Sequence, residues 1–311
     1  MRRLVVFMLI LLGTTAPIPS SRADAAEQTK PTYKIVIDNE ELRLADPPFL
    51  EAGTTMVPFR PVFDRLGMTV AWDTAKKQIT AHGADREIVL TLGSNTAYVN
   101  GSEANMPLAP VIQEGVAYVP LRFVGDASGG DVELYGGGLN VVWVLSAKQV
   151  ALLDAIYGND LESAERLLKN GADPTVLQGP LGPESYAFIH ESIEMVELFL
   201  RYGMDIDYCT PDWYGLTLLQ NAVSWGKVDT VRYLLEAGAD PNVAGGRLGS
   251  PLEIAVYWRD QIAGGYRNVV DERLTPTVEE YDTIIRLLED AGAERSDDMT
   301  QFSYSRTHSA E

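Results

Sequence analysis

The pattern Leu-Leu-x-x-Gly-Ala-Asp-Pro occurs twice, at Leu167–Pro174 and Leu234–Pro241. The two copies are separated by about twice a 33-residue period. A supersecondary unit of that length cannot bury its apolar face alone. It has to stack on its neighbours, so the pattern commits the C-terminal half of the chain to a helical solenoid. Such folds present long surfaces to partners, which shifts the question from which reaction is catalysed to which partner is bound.

Four cassettes align in that half: Ala147–Pro174, Gly182–Ile206, Asp212–Val243 and Gly249–Glu294. In the first, Ala151, Leu152, Ala155 and Ile156 define one helical face, and Leu161, Ala164, Leu167 and Leu168 the next. A glycine closes each cassette (Gly171, Gly203, Gly238, Gly292), where a helix needs a left-handed cap. The order turn, helix, short loop, helix, Leu-Leu-x-x-Gly-Ala-Asp resembles the ankyrin repeat. The start Thr217-Leu218-Leu219-Gln220 and the start Ser250-Pro251-Leu252-Glu253 stand where that family has Thr-Pro-Leu-His. Its histidine is replaced by Gln220 and Glu253, so the family's hydrogen bonds to neighbouring turns are expected to be absent or remade. An insertion over 259–277 enlarges the fourth repeat, and Thr277-Val278-Glu279-Glu280 restarts a helix as a capping box. The insertion either widens a binding surface or seals the end of the array.

A second duplication lies upstream at a constant offset of 62 residues. Val57-Pro58-Phe59-Arg60-Pro61-Val62 matches Val119-Pro120-Leu121-Arg122-Phe123-Val124, and Pro48, Gly53 and Gly67 match Pro110, Gly115 and Gly129. Each unit predicts a hairpin (at Asp38-Asn39 and at Asn100-Gly101), a strand ending before a proline, a short helix and further alternating strands. The motifs Pro47-Pro48-Phe49-Leu50, Val57-Pro58-Phe59-Arg60 and Leu66-Gly67-Met68-Thr69-Val70-Ala71-Trp72-Asp73 resemble the copper amine oxidase N-terminal, or stalk, domain. The second unit departs from that pattern after Gly125, where Asp126-Ala127-Ser128-Gly129-Gly130 replaces the Leu-Gly helix end. The resemblance implies a non-catalytic protrusion. Copper chemistry in that family needs a His-x-His pair and an Asn-Tyr segment. This chain has three separated histidines (His82, His190, His308) and no Asn-Tyr dipeptide, so neither metal nor cofactor is expected. Arg60 and Arg122 recur just inside the two helices, where they either contact a ligand or brace the preceding turn.

The expected fold class is therefore an α+β stalk-like module of duplicated antiparallel β units with short helices, followed by an all-α ankyrin solenoid. Residues 1–26 read as a cleaved secretory signal, with Arg2 and Arg3 before the apolar run Leu4–Leu12 and small residues near Ala25-Ala26. That run is too short to span a bilayer. Residues 27–32 are a linker, 33–146 the stalk-like module, 147–296 the repeats and 297–311 a polar tail expected to be disordered. The mature chain is expected to be exported, secreted or associated with the cell envelope, with no transmembrane segment. A formal net charge of −19 disfavours nucleic acid and anionic lipid as partners. Cys209, the single cysteine, cannot form an intramolecular disulfide. It reads as either a half-buried packing residue or a thiol that pairs between molecules.

No catalytic set emerges. Ser128 within Gly125–Gly130 has no candidate base, and His190-Glu191 lacks the second histidine of a zinc helix. The expected function is binding of a protein or peptide by the array, with the stalk as spacer or attachment module. Recognition of a cell-envelope glycan through the stalk is the alternative. The candidate contact residues are Trp213 and Tyr214, at finger-tip positions that are ordinarily polar, and Trp225, Tyr257 and Trp258, near the first-helix ends of the third and fourth repeats. The alternative is that these aromatics pack against the adjacent finger.

Overall fold

Backbone conformation at four turn residues organises the N-terminal half. In the computed structural model, which describes residues 34–135, 141–176, 192–209, 215–243, 249–266 and 275–294, Asp38 and Asn39 have φ of +48° and +65°, and Asn100 and Gly101 have +51° and +75°. Two consecutive left-handed residues define the hairpin turn whose twist matches the flanking strands. The first turn joins β1 (Lys34–Ile37) to β2 (Glu40–Glu41), and the second joins β8 (Thr96–Val99) to β9 (Ser102–Asn105).

The duplicated Val-Pro-x-Arg segments meet at the centre of the domain. β4 (Thr54–Pro58) and β11 (Val116–Pro120) pair antiparallel, with Val57 opposite Val119. β3 (Phe49–Glu51) and β10 (Val111–Gln113) extend this sheet on either side, giving the order β10-β11-β4-β3. Each central strand runs straight into a helix, α1 (Phe59–Arg65) after Pro58 and α2 (Leu121–Ala127) after Pro120. A proline just before the first helical turn costs little, because the amide it lacks has no helical acceptor there. The helices bury Phe59, Val62 and Phe63, and Leu121, Val124 and Ala127.

Two further sheets complete the domain by exchanging strands between the units. β5 (Thr69–Asp73), β6 (Gln78–His82) and β7 (Glu87–Thr91) continue into β8 and β9 as a five-stranded antiparallel sheet. β12 (Asp131–Tyr135) and β13 (Val141–Leu145) join β1 and β2 in the order β12-β13-β1-β2, with β1 and β13 parallel. Ile35, Ile37, Ile79, Ile88, Leu90, Val142 and Val144 point from these sheets into one core shared by both units.

The departure in sequence after Gly125 leaves the geometry unchanged. Ser128 caps α2 and Gly129 takes φ +87°, just as Gly67 takes +77° after α1. The glycines are required by packing. A Cβ on Gly125 would collide with Val132, and one on Gly130 with the carbonyl oxygen of Leu145. The Ser128 hydroxyl donates to the Gly125 carbonyl at 2.7 Å and is buried, so Ser128 serves the end of the helix.

The array begins where β13 stops. Among the described residues its helices are α3 (Ala147–Tyr157), α4 (Leu161–Lys169), α5 (Ile193–Arg201), α6 (Leu218–Ser224), α7 (Val228–Glu236), α8 (Pro251–Ala263) and α9 (Val278–Asp290). Ser146, Asp160, Ser192, Thr217, Ser250 and Thr277 each accept a hydrogen bond from the third helical amide. Gly171, Gly203, Gly238 and Gly292 have φ between +78° and +100° and close the expected left-handed caps. Leu152, Leu168, Phe199, Leu219, Leu234, Ile254 and Leu288 belong to one continuous core along the array. Among the described residues, no helix is long and apolar enough to cross a membrane.

Candidate partner-binding face of the helical array

The aspartates of the two Gly-Ala-Asp motifs, with Asp205 of Gly203-Met204-Asp205, fold the loops that follow the second helix of the first three repeats. Asp173 Oδ1 accepts from the Thr175 amide at 2.8 Å, Asp205 Oδ1 from the Asp207 amide at 3.1 Å, and Asp240 Oδ1 from the Asn242 amide at 2.8 Å. In the second and third fingers these Asx turns place a second polar side chain, Asp207 or Asn242, two residues on and in reach of the next repeat. Asp207 Oδ1 accepts from the Asp240 amide at 3.0 Å, and Asn242 Oδ1 from the Glu294 amide at 2.8 Å. Asn242 Nδ2 also donates to the Gly292 carbonyl at 3.1 Å. The acidic fingers are thus committed to holding backbone in register. Among the described residues no group of His, Cys, Asp and Glu has the arrangement to hold a metal ion.

The hydrogen bonds of the missing histidine are remade by glutamine. Gln220, fully buried, accepts from the Thr217 amide at 2.8 Å and donates to the Gly249 carbonyl at 2.6 Å, which ties the helix start to the next finger. Gln149 in the first repeat accepts from the Asp173 amide at 3.1 Å and donates to its carbonyl at 2.6 Å. Glu253 instead closes a capping box with Ser250. Sequence reasoning missed Gln149, although the Ser-x-x-Gln spacing from Ser146 repeats that of Thr217 and Gln220.

The aromatic candidates separate. Tyr257 and Trp258 lie on α8 with ring centroids 5.3 Å apart in an edge-to-face arrangement, and Trp258 stands 5.4 Å from Tyr266, which is 41% exposed. α8 continues through Ala263, so the first residues of the insertion lengthen this helix and bring Tyr266 back over it after Gly264-Gly265. Burial raises the Tyr257 hydroxyl above the usual tyrosine range, and the neighbouring Tyr266 adds to the shift. Trp225 occupies a different place. It caps α6, packs on the array core and borders a recess of about 280 Å³ together with Ile193, Val228, Thr230 and Pro276. Gly226 is required there, since a Cβ would press on the Pro276 ring. Trp213 and Tyr214 lie outside the described residues, as does His190.

Cys209 departs from the half-buried packing expectation. It is exposed, past the Asx turn of the second finger, with Sγ 3.8 Å from the Asp207 carbonyl. Local desolvation, with Asp207 and Asp205 nearby, pushes its thiol up and keeps it protonated at neutral pH. Arg60 is exposed, and its guanidinium lies over the Phe59 ring at 5.0 Å.

Residues 36–143 match the family model "Copper amine oxidase N-terminal domain", and residues 152–244 match "Ankyrin repeats (3 copies)". Among curated proteins, human Protein phosphatase 1 regulatory subunit 27 is 35% identical over 96 residues, which cover 29% of this chain and 59% of that protein. The mouse protein of that name is 35% identical over 100 residues, covering 30% and 62%. Alpha-latrocrustotoxin-Lt1a of Latrodectus tredecimguttatus is 31% identical over 101 residues, covering 32% of this chain and 7% of the toxin. The chain spans less than two thirds of the length of each of these relatives. The chain thus carries a match to the copper amine oxidase N-terminal domain followed by a match to ankyrin repeats.

Proposed function

We propose that the protein is an exported, non-enzymatic binding protein whose ankyrin array recognises a protein or peptide partner. The observation that carries this reading is the aromatic group of Tyr257 and Trp258, on a helix that the insertion has lengthened, and Tyr266, just past its end. Partly exposed aromatics on a rigid element are what a recognition surface uses, because they lose little conformational entropy on binding. The finger aspartates support the reading differently. They are spent on backbone hydrogen bonds, so they stiffen the scaffold instead of forming a catalytic or metal site. The relatives named as phosphatase regulatory subunits fit a role in recognition. The N-terminal domain serves as spacer or attachment module, and the leader at 1–26 sends the chain out of the cytoplasm. The test is affinity capture from envelope extract with full-length wild type and with Tyr257→Ala/Trp258→Ala. A specific protein recovered by the wild type and depleted at least about tenfold with the variant supports the reading. Equal recovery by both removes the site assignment.

A second reading, recognition of envelope glycan by the β-domain, draws on the outer face of the five-stranded sheet. There Thr80, Val89, Tyr98 and Glu103 lie in register across four strands, and Tyr98 is 44% exposed. Co-sedimentation with purified cell wall, abolished by Tyr98→Ala, would favour it over the array.

A further inference from the structure

The turns at Asp38-Asn39 and Asn100-Gly101 are equivalent in the duplication, and each clasps the strand beside it. In the second unit that neighbour, β7, is antiparallel. The Asn100 amide donates to the Glu87 carbonyl at 2.8 Å, and Asn100 Oδ1 accepts from the Glu87 amide at 2.7 Å. In the first unit the neighbour, β13, is parallel. The Asp38 amide donates to the Val144 carbonyl at 3.0 Å, and Asp38 Oδ1 accepts from the Ser146 amide at 2.8 Å. Ser146 is also the residue whose hydroxyl caps α3. The clasp that seats β7 between the two β units is therefore used again to seat the start of the array.

The equivalence breaks at the next position. Gly101 adopts φ +75° without steric cost, whereas Asn39 holds φ +65° with a side chain. Its Nδ2 donates to the Thr175 carbonyl at 2.9 Å, in the first finger of the array. The turn alone does not call for that amide. The bridge to Thr175 does. Beside it, Leu145 at the end of β13, Leu153 on α3 and Val176 in the finger form a small buried cluster, with Val150 and Tyr157 packed against it. The β-domain and the array also fall within one compact unit.

We propose that the β-domain is the N-terminal cap of the ankyrin array. A terminal repeat lacks a neighbour on one side, and something has to cover it. Here β13 and the β1–β2 turn take the place of a preceding repeat. The first repeat then folds with the β-domain as one cooperative unit, and the array is presented on a fixed base rather than a tether.

The test compares hydrogen exchange and thermal unfolding of the full-length wild type, Asn39→Gly and Glu114→Gly. Glycine suits the left-handed backbone at both positions, so Asn39→Gly removes the bridge while keeping the turn. Glu114, at φ +50° in the β10–β11 turn, is the matched control away from the joint. Amides of α3 and α4 are expected to exchange about tenfold faster in Asn39→Gly, as for loss of one part-buried hydrogen bond from a cooperative unit. The same amides are unchanged in Glu114→Gly, and sheet amides that open only with the whole unit accelerate together with those of α3 and α4 in Asn39→Gly. Separate melting of β-domain and array in the wild type would overturn the proposal. So would unchanged exchange of α3 and α4 in Asn39→Gly.

Discussion

Val57 and Val119, equivalent residues of the two β units, stand directly opposite each other across the β4–β11 pair, and both are fully buried. Pro58 opposite Tyr118 and Met56 opposite Pro120 are related by the same exchange of positions. An approximate two-fold axis therefore passes between the two valines, and the strands exchanged between the sheets follow from it.

That axis predicts matched energetics. Val57→Ala and Val119→Ala each delete comparable buried surface and should each cost roughly 2 kcal/mol, measured by chemical denaturation. Because the side chains meet at one site, the double variant should fall short of or exceed the sum by more than about 0.5 kcal/mol. A large effect at one valine beside a negligible one at the other would refute the symmetric centre.

The glycines around α2 test the packing of helix on sheet. Gly130→Ala forces a methyl group onto the Leu145 carbonyl and Gly125→Ala one onto Val132, so each should destabilise by roughly 3 kcal/mol or prevent folding. Gly53→Ala meets no neighbour and bears only the left-handed backbone cost of about 1 kcal/mol. Thermal melts of the three variants should fall in that order.

The Gln220 bridge supplies a prediction for the array. Gln220→Ala leaves the buried Thr217 amide and the Gly249 carbonyl without their partner and should cost about 1–3 kcal/mol. Gln220→His, the residue of the Thr-Pro-Leu-His start, should retain most of the stability. Urea denaturation followed by far-UV circular dichroism distinguishes these outcomes.

Much of this is legible in the amino-acid sequence. The Val-Pro-x-Arg repeat located both short helices, and the Gly-Ala-Asp motifs located the helix ends, because proline and left-handed glycine act through local backbone geometry. Contacts set by long-range packing were not legible. Nothing local announces the parallel pairing of β1 with β13, which joins residues more than a hundred positions apart. Asn39 read only as a turn residue until its amide was found on Thr175. Cys209 was expected to be half buried from the habits of cysteine, yet the finger turns it outward. Tyr266 escaped notice because it acquires a partner only when the extended α8 and the Gly264-Gly265 turn bring it beside Trp258.

Helix capping gives the array a pH-dependent term. Asp160 caps α4, and hydrogen bonds from Ser163 hold its carboxyl below the usual carboxylate range. A depressed folded-state pKa contributes stability above the ordinary value of about 3.9 and loses it as pH falls through the folded value. Asp160→Ala should therefore melt below the wild type at neutral pH, and the difference should shrink as the pH drops below about 4. A constant difference across that range would contradict the capping role.

The central claim is that the array binds a protein partner through the aromatic group on α8. It is tested most directly by placing a photo-crosslinking residue at Tyr257 and, separately, at Tyr98 of the full-length chain, and irradiating each in its native surroundings. The account predicts a discrete protein adduct from position 257 that disappears with Trp258→Ala, and none from position 98. Adducts from position 98 alone, whether to protein or to wall polymer, would contradict it and move the binding function to the β-domain.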